Sequence, residues 1–227
     1  AFDEIWVIAR RKEKLEALSQ ELDSKRIIPL VIDLAEPSSL VKLEDKLREK
    51  DPTVGLLINC AGMGKRGVVE DKSVTDLEDT IDINCTCLTK VTRICLPYMI
   101  SKNPVFSRSN GPRIINIAST NGINTYYPMS IDYDASKAAL NSLTHNLAIQ
   151  FAPYIHVNAI APGFIGTKSE LDGYDEEFLK SEQEKILVGR YGDPEEVAYL
   201  VKFLISDEAN YINNSIIRID GGQTSSY

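Results

Sequence analysis

Short runs of apolar residues recur along almost the whole chain, separated by stretches with helical periodicity. Each run is apolar at consecutive positions rather than at every second one. A strand of that kind is buried on both faces, which is typical of a parallel sheet covered by helices on its two sides. The pattern therefore predicts an α/β fold with a three-layer, doubly wound parallel sheet. The predicted strands are 5–9, 27–32, 55–59, 113–118, 155–160 and 215–220.

The segments between these strands carry helix-start and helix-stop signals. Ser73 followed by Asp76 forms a start similar to a capping box, and Asp193–Pro194 places a cap residue before a proline at the first helical position. The segment 164–191 is expected to be a mobile, helix-bearing loop over the site, and 101–112 a surface loop. The predicted helices are 12–23, 38–50, one from Ser73 past Asn84 towards Met99, 133–152, and one that begins at Asp193.

Length and composition indicate one ordinary globular domain. The chain has 227 residues, 43% of them hydrophobic and 26% charged, with no repeat, low-complexity stretch or linker. We therefore predict a single domain over 1–227. Strand 5–9 is entered with almost no lead-in and without an initiator Met, so the domain is expected to be incomplete at its N-terminus.

Charge, apolar runs and cysteine spacing argue against several classes of function. The formal net charge of −8, with no basic block longer than 10–12, argues against a nucleic-acid partner. The absence of a bilayer-length apolar run and of a signal peptide predicts a cytoplasmic protein with no membrane partner. The four cysteines form no CxxC pair and the two histidines lie apart from any Cys/Asp cluster, so no metal site is expected.

The segment YDASK places two groups suited to proton transfer four residues apart. At helical spacing, Tyr133 and Lys137 stack on one face of the helix, one turn apart. A free tyrosine titrates near ~10, and a neighbouring cation lowers that value by ~1–3 units. The pair can serve as an acid and base, although the same spacing also occurs as a solvated surface pair.

Further candidates follow the predicted strands, because ligands of an open parallel sheet bind at the carboxyl ends of its strands. Arg10 and Arg11 follow the first strand, where they suit a 2′-phosphate or simply begin a solvated helix. Asp33 follows the second strand, as an acceptor for an adenine amino group or as a helix-entry turn residue. The remaining strand-end candidates are Asn59, Ala61 and Gly62, then Ser119, and finally Pro162 and Gly163.

Several short segments together resemble the short-chain dehydrogenase/reductase family, whose fold is of the Rossmann type. They span essentially the whole chain, and Ser119 precedes Tyr133 by 14 residues, close to the gap usual in the family. The part from Tyr133 to Gly222 is most similar to 3-oxoacyl-carrier-protein reductases. The matching segments are NCAG (59–62, usually NNAG), IDIN (81–84), INIAS (115–119), YDASK (133–137), APGFIGT (161–167) and IDGG (219–222).

The resemblance implies a role for each matching residue. Tyr133 would exchange a proton with the carbonyl or hydroxyl oxygen, and Lys137 would lower the pKa of Tyr133 and bind the nicotinamide ribose. Ser119 would hold the substrate oxygen, and Asn84 would hold a water that passes protons to Lys137. A homo-oligomer, dimer or tetramer, is also implied. The residues expected to line the nicotinamide are Pro162, Gly163, Ile165 and Thr167.

Residues 62–67 match the pattern GxGxxG but are not expected to bind a pyrophosphate. They follow the third predicted strand, overlap the NCAG turn, and are separated from the next helix by residues 68–70. The resemblance instead favours a flexible wall of the substrate cleft.

The residues and the resemblance together predict an oxidoreductase that transfers hydride between a nicotinamide and a small-molecule carbonyl or secondary alcohol. NADP is favoured over NAD, because arginine stands where NAD enzymes usually carry an acidic residue. The family's first strand and glycine-rich turn are absent from the sequence given, which lacks about 25 residues of the family pattern. Two alternatives stay open: a fragment or degenerate binding protein without activity, and a Ser/Lys hydrolase that uses Ser119 and Lys137.

Overall fold

The strands of the computed structural model, which describes residues 2–22, 25–100 and 111–223, all pair in parallel. Each lies within two residues of a predicted strand at both ends, so the predicted α/β fold is confirmed. The strands are β1 (Ile5–Ala9), β2 (Ile27–Val31), β3 (Leu56–Asn59), β4 (Arg113–Ile117), β5 (His156–Pro162) and β6 (Ile216–Ile219).

The described strands form two parallel sheets. One sheet is β1–β2 and the other is β3–β4–β5–β6, in that order. In each sheet the strands follow one another in chain order, from β1 to β2 and from β3 to β6, as in the two halves of a doubly wound fold. A single core cluster contains Trp6 and Ile8 of β1 together with Leu57 of β3 and Ile114 of β4. The two sheets therefore belong to one domain, as predicted.

The helices also follow the prediction closely, with two corrections. The helix that carries YDASK begins at Ile131, so Tyr133 is its third residue, and the segment from Ser73 to Met99 is interrupted by a π-helical turn, Asp82–Cys87. The Ser73 hydroxyl accepts a hydrogen bond from the Asp76 N–H at 3.1 Å, which confirms the predicted cap. The helices are α1 (Lys12–Glu21), α2 (Pro37–Lys50), α3 (Val74–Ile81), α4 (Leu88–Ile100), α5 (Ile131–Phe151), α6 (Lys168–Leu171), α7 (Glu176–Glu184) and α8 (Pro194–Leu204).

Helices cover both faces of the four-stranded sheet. Neighbouring residues of a strand point to opposite faces, and the neighbours Ile114 and Ile115 are both 0% exposed. Ile114 packs in a cluster with residues of α2, α4 and α5, whereas Ile115 packs with Leu204 of α8. Burial on both faces explains why the strands are apolar at consecutive positions, and it accounts for the three layers.

Two predicted loops have different outcomes. The segment 164–191 contains α6 and α7, which confirms that it carries helices, while its mobility stays a prediction. Most of the predicted surface loop 101–112 lies outside the described residues. Among the described helices, none is long and apolar enough to cross a lipid bilayer.

The packing of α5 generates a test of the core. Leu140 is 0% exposed and packs against Leu88, Ala118 and Ala159. We expect Leu140→Ala to lower the free energy of unfolding by about 2–5 kcal/mol, because it removes buried methyl groups and leaves a cavity. Urea denaturation measures the change. Ile149→Ala on the same helix, where the side chain is 72% exposed, should change stability by no more than about 0.5 kcal/mol. Equal losses for the two variants would contradict this packing.

Candidate active site

The centre of the candidate site is the face of α5 that carries Tyr133 and Lys137. The Lys137 side chain is buried, and its Nζ donates a hydrogen bond to the Ile117 carbonyl at the end of β4, at 3.0 Å. Nζ also lies 5.5 Å from the centroid of the Tyr133 ring. The helical spacing thus brings the two groups together on the side of α5 that faces the carboxyl end of β4.

Burial strongly perturbs the ammonium of Lys137. Removal from water disfavours the charged form and lowers the pKa of Lys137 to about 8, with neighbouring Cys60 acting in the opposite direction. The only hydrogen bond described for Nζ goes to the Ile117 carbonyl, which accepts from either protonation state. At neutral pH Lys137 is therefore still largely protonated, but it can lose its proton within the range where proton-transfer chemistry operates.

The pKa of Tyr133 shifts in the direction opposite to the expected one. Burial raises it, a hydrogen bond with Ser119 lowers it, and the carboxylates of Glu170 and Asp134 raise it further. Desolvation thus sets the direction of the shift, and Lys137, whose ammonium donates to the Ile117 carbonyl, is not among the groups that lower the pKa of Tyr133. The phenol holds its proton at neutral pH in this arrangement.

Ser119 lies directly after β4, at the start of the 3₁₀ turn Thr120–Gly122. Its side chain is 7% exposed and its hydroxyl oxygen accepts from the Asn121 N–H at 3.2 Å. Ser119 is also hydrogen-bonded to Tyr133. The structure therefore brings together the hydroxyl groups of Ser119 and Tyr133.

Asn84 occupies the π-helical turn between α3 and α4 and is fully buried. Its amide nitrogen donates to the Met63 carbonyl at 2.7 Å and to the Ser136 hydroxyl at 2.9 Å, while its oxygen accepts from the Met63 N–H at 2.7 Å. Both hydrogens of the side-chain amide are thus donated to protein groups. A water bound at Asn84 would therefore have to donate a hydrogen bond to one of the carbonyl oxygens of Asn84. Ser136 was missed by the sequence reasoning, although it stands next to Lys137 in YDASK.

Glycines leave open backbone beside the two catalytic candidates. A Cβ atom at Gly62 would lie 3.2 Å from the Asn84 oxygen and 3.4 Å from Lys137 Nζ, and one at Gly64 would lie 3.1 Å from the Tyr133 ring. Both glycines are exposed. The segment after β3 therefore lies against Tyr133 and Lys137 and presents a cradle of bare backbone that a side chain would fill. This placement supports the prediction that residues 62–67 form a wall of the cleft.

The predicted nicotinamide-side residues follow β5 and contact the end of β6. A Cβ atom at Gly163 would lie 2.7 Å from the Asp220 Cβ atom and 3.1 Å from its Cα atom, which favours glycine there, and the Gly163 N–H donates to the Ile219 carbonyl at 3.1 Å. Pro162 is the last residue of β5, and Ile165 forms an isolated bridge with Gly192. The Thr167 hydroxyl caps α6 by accepting from the Glu170 N–H at 3.2 Å.

The side chain of Asn59 points into the protein interior, so its role in cofactor binding, which stays a prediction, would fall to its backbone. Asn59 is 2% exposed, and its amide nitrogen donates to Thr92 at 3.0 Å and to Asn116 at 2.8 Å. Asn116 in turn donates to the Thr144 hydroxyl of α5 at 2.8 Å. A buried amide must find partners, and here they lie in α4, β4 and α5, so this side chain joins the sheet to two helices. Neighbouring Ala61 lies half-buried in the turn that follows.

The residues predicted for the adenosine end lie at the carboxyl ends of β1 and β2. Arg10 and Arg11 are exposed, and Arg11 is the cap residue of α1. The Asp33 carboxylate accepts from the Ala35 N–H at 3.0 Å, which is the turn role that the sequence left open for it. The next residue is tied to the π-helical turn, because the Cys87 thiol donates to the Leu34 carbonyl at 2.9 Å.

Comparisons with known proteins agree with this geometry. A family profile described as enoyl-(acyl carrier protein) reductase matches residues 5–224. A 3-oxoacyl-[acyl-carrier-protein] reductase of Thermotoga maritima is 32% identical over 214 residues, covering 93% of this chain and 83% of that protein. An NAD-dependent glycerol dehydrogenase of Listeria innocua is 30% identical over 214 residues, covering 94% and 81%.

The same relationship holds for solved structures. The crystal structure of a short chain dehydrogenase from Bacillus anthracis superposes with a TM-score of 0.86 at 32% identity, covering 99% of this chain and 88% of that one. By name, these relatives are reductases or dehydrogenases. The profile, the identity and the shared fold lead to one conclusion: the chain belongs to the short-chain dehydrogenase/reductase family and is an oxidoreductase.

Proposed function

We propose that this protein is an NADP(H)-dependent oxidoreductase that interconverts a small-molecule ketone or aldehyde and the corresponding alcohol, with Tyr133 as the proton donor in reduction. The observation that carries the proposal is the convergence of Tyr133, Lys137 and Ser119 beside the exposed backbone of Gly62 and Gly64. The raised pKa of Tyr133 supports the direction of reduction, because the phenol keeps the proton that it must donate.

Each side chain has one task in this mechanism. Ser119 hydrogen-bonds the carbonyl oxygen of the substrate and aligns it with the Tyr133 hydroxyl. As negative charge develops on that oxygen, Tyr133 transfers its proton to it, and the Lys137 ammonium stabilises the tyrosinate that remains. A hydroxyl and a phenol that share one acceptor oxygen fix its position, and the buried surroundings strengthen each of these interactions.

The residues present fit a dinucleotide. When bound, it supplies the hydride chemistry. The backbone cradle at Gly62 and the turn at Gly163 would hold the nicotinamide half, with Ile165 and Thr167 beside it. Arg10 and Arg11 would hold a 2′-phosphate at the adenosine half, since a guanidinium group can donate two parallel hydrogen bonds to a phosphate. Asp33 would accept from the adenine amino group. A Ser/Lys hydrolase is disfavoured, because Lys137 Nζ donates to Ile117 rather than to Ser119.

Tyr133→Phe should lower kcat by about 10²- to 10⁴-fold, since it removes the proton donor and nothing else of the ring. The assay follows nicotinamide absorbance with a panel of β-keto esters, cyclic ketones and polyols. Folding should be preserved, as judged by the thermal unfolding temperature. Tyr199→Phe, at a tyrosine that is 69% exposed on α8, serves as the matched control and should keep full activity. Turnover that survives in Tyr133→Phe would refute the assigned acid.

Arg10→Ala tests the choice of cofactor. We expect kcat/KM with NADPH to fall by about tenfold or more, because a charge-assisted hydrogen bond to phosphate is worth about 1.5–3 kcal/mol. The value with NADH should stay within about twofold. Arg48→Ala, at an exposed arginine paired with Asp45 on α2, is the control. A wild-type preference for NADH would contradict the role given to Arg10, and so would equal losses with both cofactors.

Lys137→Met should abolish catalysis and yet stabilise the cofactor-free protein at pH 7. The folded-state pKa of about 8 lies below the ordinary 10.5, so at pH 7 the buried ammonium costs about 3 kcal/mol of stability that methionine avoids. Between these two values the unfolded wild type binds more protons, and its unfolding free energy therefore rises with pH. The advantage of the variant should shrink from pH 8 to pH 10. Urea denaturation at pH 8 and pH 10 measures this difference in unfolding free energy, with Lys42→Met, at an exposed lysine, as the control. A difference that does not change with pH would refute the lowered pKa of Lys137.

A further inference from the structure

The first turn of α5 carries Tyr133, yet the side chain at the cap position of this helix accepts no hydrogen bond from the helix backbone. Ser130 is the cap residue, and its side chain bonds to no backbone N–H of the helix. The first N–H groups of a helix lack intrahelical partners, and such ends fray unless other contacts hold them. Tyr133, as the third residue, lies within that first turn. Contacts from outside the helix therefore contribute to fixing its position.

A buried ion pair holds one side of this turn. Asp132 is paired with Lys72, which lies in the segment between β3 and α3, and each side chain is only 2% exposed. Burial alone would raise the pKa of Asp132, but the hydrogen bond and the charge of Lys72 outweigh it, so the pKa is lowered and the carboxyl stays ionised. A buried pair of this kind is costly to form and costly to break from one side, so it fixes the two segments relative to each other.

The segment that supplies Lys72 also touches Tyr133 directly. Gly64 lies against the Tyr133 ring, and the Gly67 N–H donates to the Met129 carbonyl, two residues before α5, at 3.1 Å. A Cβ atom at Gly67 would lie 3.4 Å from the Lys72 side chain. The cleft wall 62–67 therefore contacts the start of α5 at Gly64 and Gly67, and Lys72, five residues after Gly67, adds an ion pair to the same turn.

A second carboxylate holds the opposite side of the turn. Asp134 is 9% exposed and accepts from the Asn121 side chain and from the Ser130 hydroxyl, both at 2.7 Å. The backbone N–H of the same Asn121 donates to the Ser119 hydroxyl at 3.2 Å. Asp134 is thus linked through one residue to Ser119. The residues before and after Tyr133 are each fixed to a different loop of the site.

We propose that Lys72, Asp132 and Asp134 are positioning residues that clamp the first turn of α5, with the Lys72–Asp132 pair holding Tyr133 against the cleft wall. None of the three is assigned to contact substrate or cofactor. The Lys72–Asp132 pair sets where the phenol stands relative to residues 62–67, and Asp134 sets where it stands relative to Ser119. Catalysis is sensitive to such placement, because reacting groups must be held close to their productive geometry.

Hydrogen exchange tests the clamp without any ligand. We expect Lys72→Met to raise the exchange rate of the backbone amides of residues 134–138 by about tenfold or more in the cofactor-free full chain, while residues 141–151 keep the wild-type rate. Asp76→Asn is the matched control. Asp76 forms an exposed ion pair with Lys65 of the same segment. Its replacement removes that pair and should leave the exchange rates of α5 unchanged. Wild-type exchange in residues 134–138 of folded Lys72→Met would overturn the proposal.

One further variant covers the case in which Lys72→Met does not fold. The double variant Lys72→Met/Asp132→Leu leaves no unpaired charge in the interior and is expected to fold. If the pair only stabilises the protein, this variant should show wild-type exchange in residues 134–138. If the pair positions the turn, exchange there should stay raised, because an apolar contact lacks the directionality of the ion pair. The first result overturns the proposal and the second supports it.

The kinetic arm rests on the proposed function. With the carbonyl compound that wild type reduces fastest, Lys72→Met should lower kcat by about tenfold and leave KM for NADPH within about twofold. The kcat of the double variant Lys72→Met/Asp132→Asn should be no lower than that of Lys72→Met alone, because both substitutions break the same ion pair. A further fall in kcat in the double variant would overturn the clamp, and so would an unchanged kcat in Lys72→Met. If wild type reduces nothing in the panel, the proposed function fails, and the exchange experiment still decides the clamp.

Discussion

The burial of one ammonium group organises the centre of this protein. Lys137 is 4% exposed, and its Nζ reaches the Ile117 carbonyl at the end of β4. That hydrogen bond fixes α5 to the carboxyl end of the sheet and so sets the place of Tyr133, one turn earlier. It also constrains the neighbouring segment, since a side chain at Gly62 would meet the ammonium. The same burial that lowers the pKa of Lys137 thus determines what can stand around it.

A line of buried polar groups fixes the layers behind this centre. Asn59 of β3 donates to Asn116 of β4 and to Thr92 of α4, and Asn116 donates to Thr144 of α5. Apolar packing alone tolerates small shifts of a helix along a sheet, whereas hydrogen bonds in a low-dielectric interior hold their geometry closely. These amides lie near the carboxyl ends of β3 and β4, where the site forms. We infer that they fix the positions of α4 and α5 relative to the site.

Much of the fold and the site could be predicted because the signals are local. The strands were identified from consecutive apolar residues, and the pairing of Tyr133 with Lys137 from the helical repeat. The π-helical turn at Asn84 carries no such signal, since its sequence has ordinary helical periodicity. The sequence did not show that the Asn59 side chain points into the helices, because a residue at a strand end can point towards a ligand or into the helices, and the pattern does not distinguish the two.

The sequence by itself determined the family, the parallel α/β architecture and the identity of the catalytic candidates. Each depends on spacing within one helix, one strand or one short motif, and such spacing is fixed by backbone geometry. Only the tertiary structure decided that burial raises the pKa of Tyr133, that Asn84 binds Met63 and Ser136, and that Lys72 pairs with Asp132, 60 residues away. Desolvation and contacts between distant segments arise when the layers pack together, and no local repeat records them.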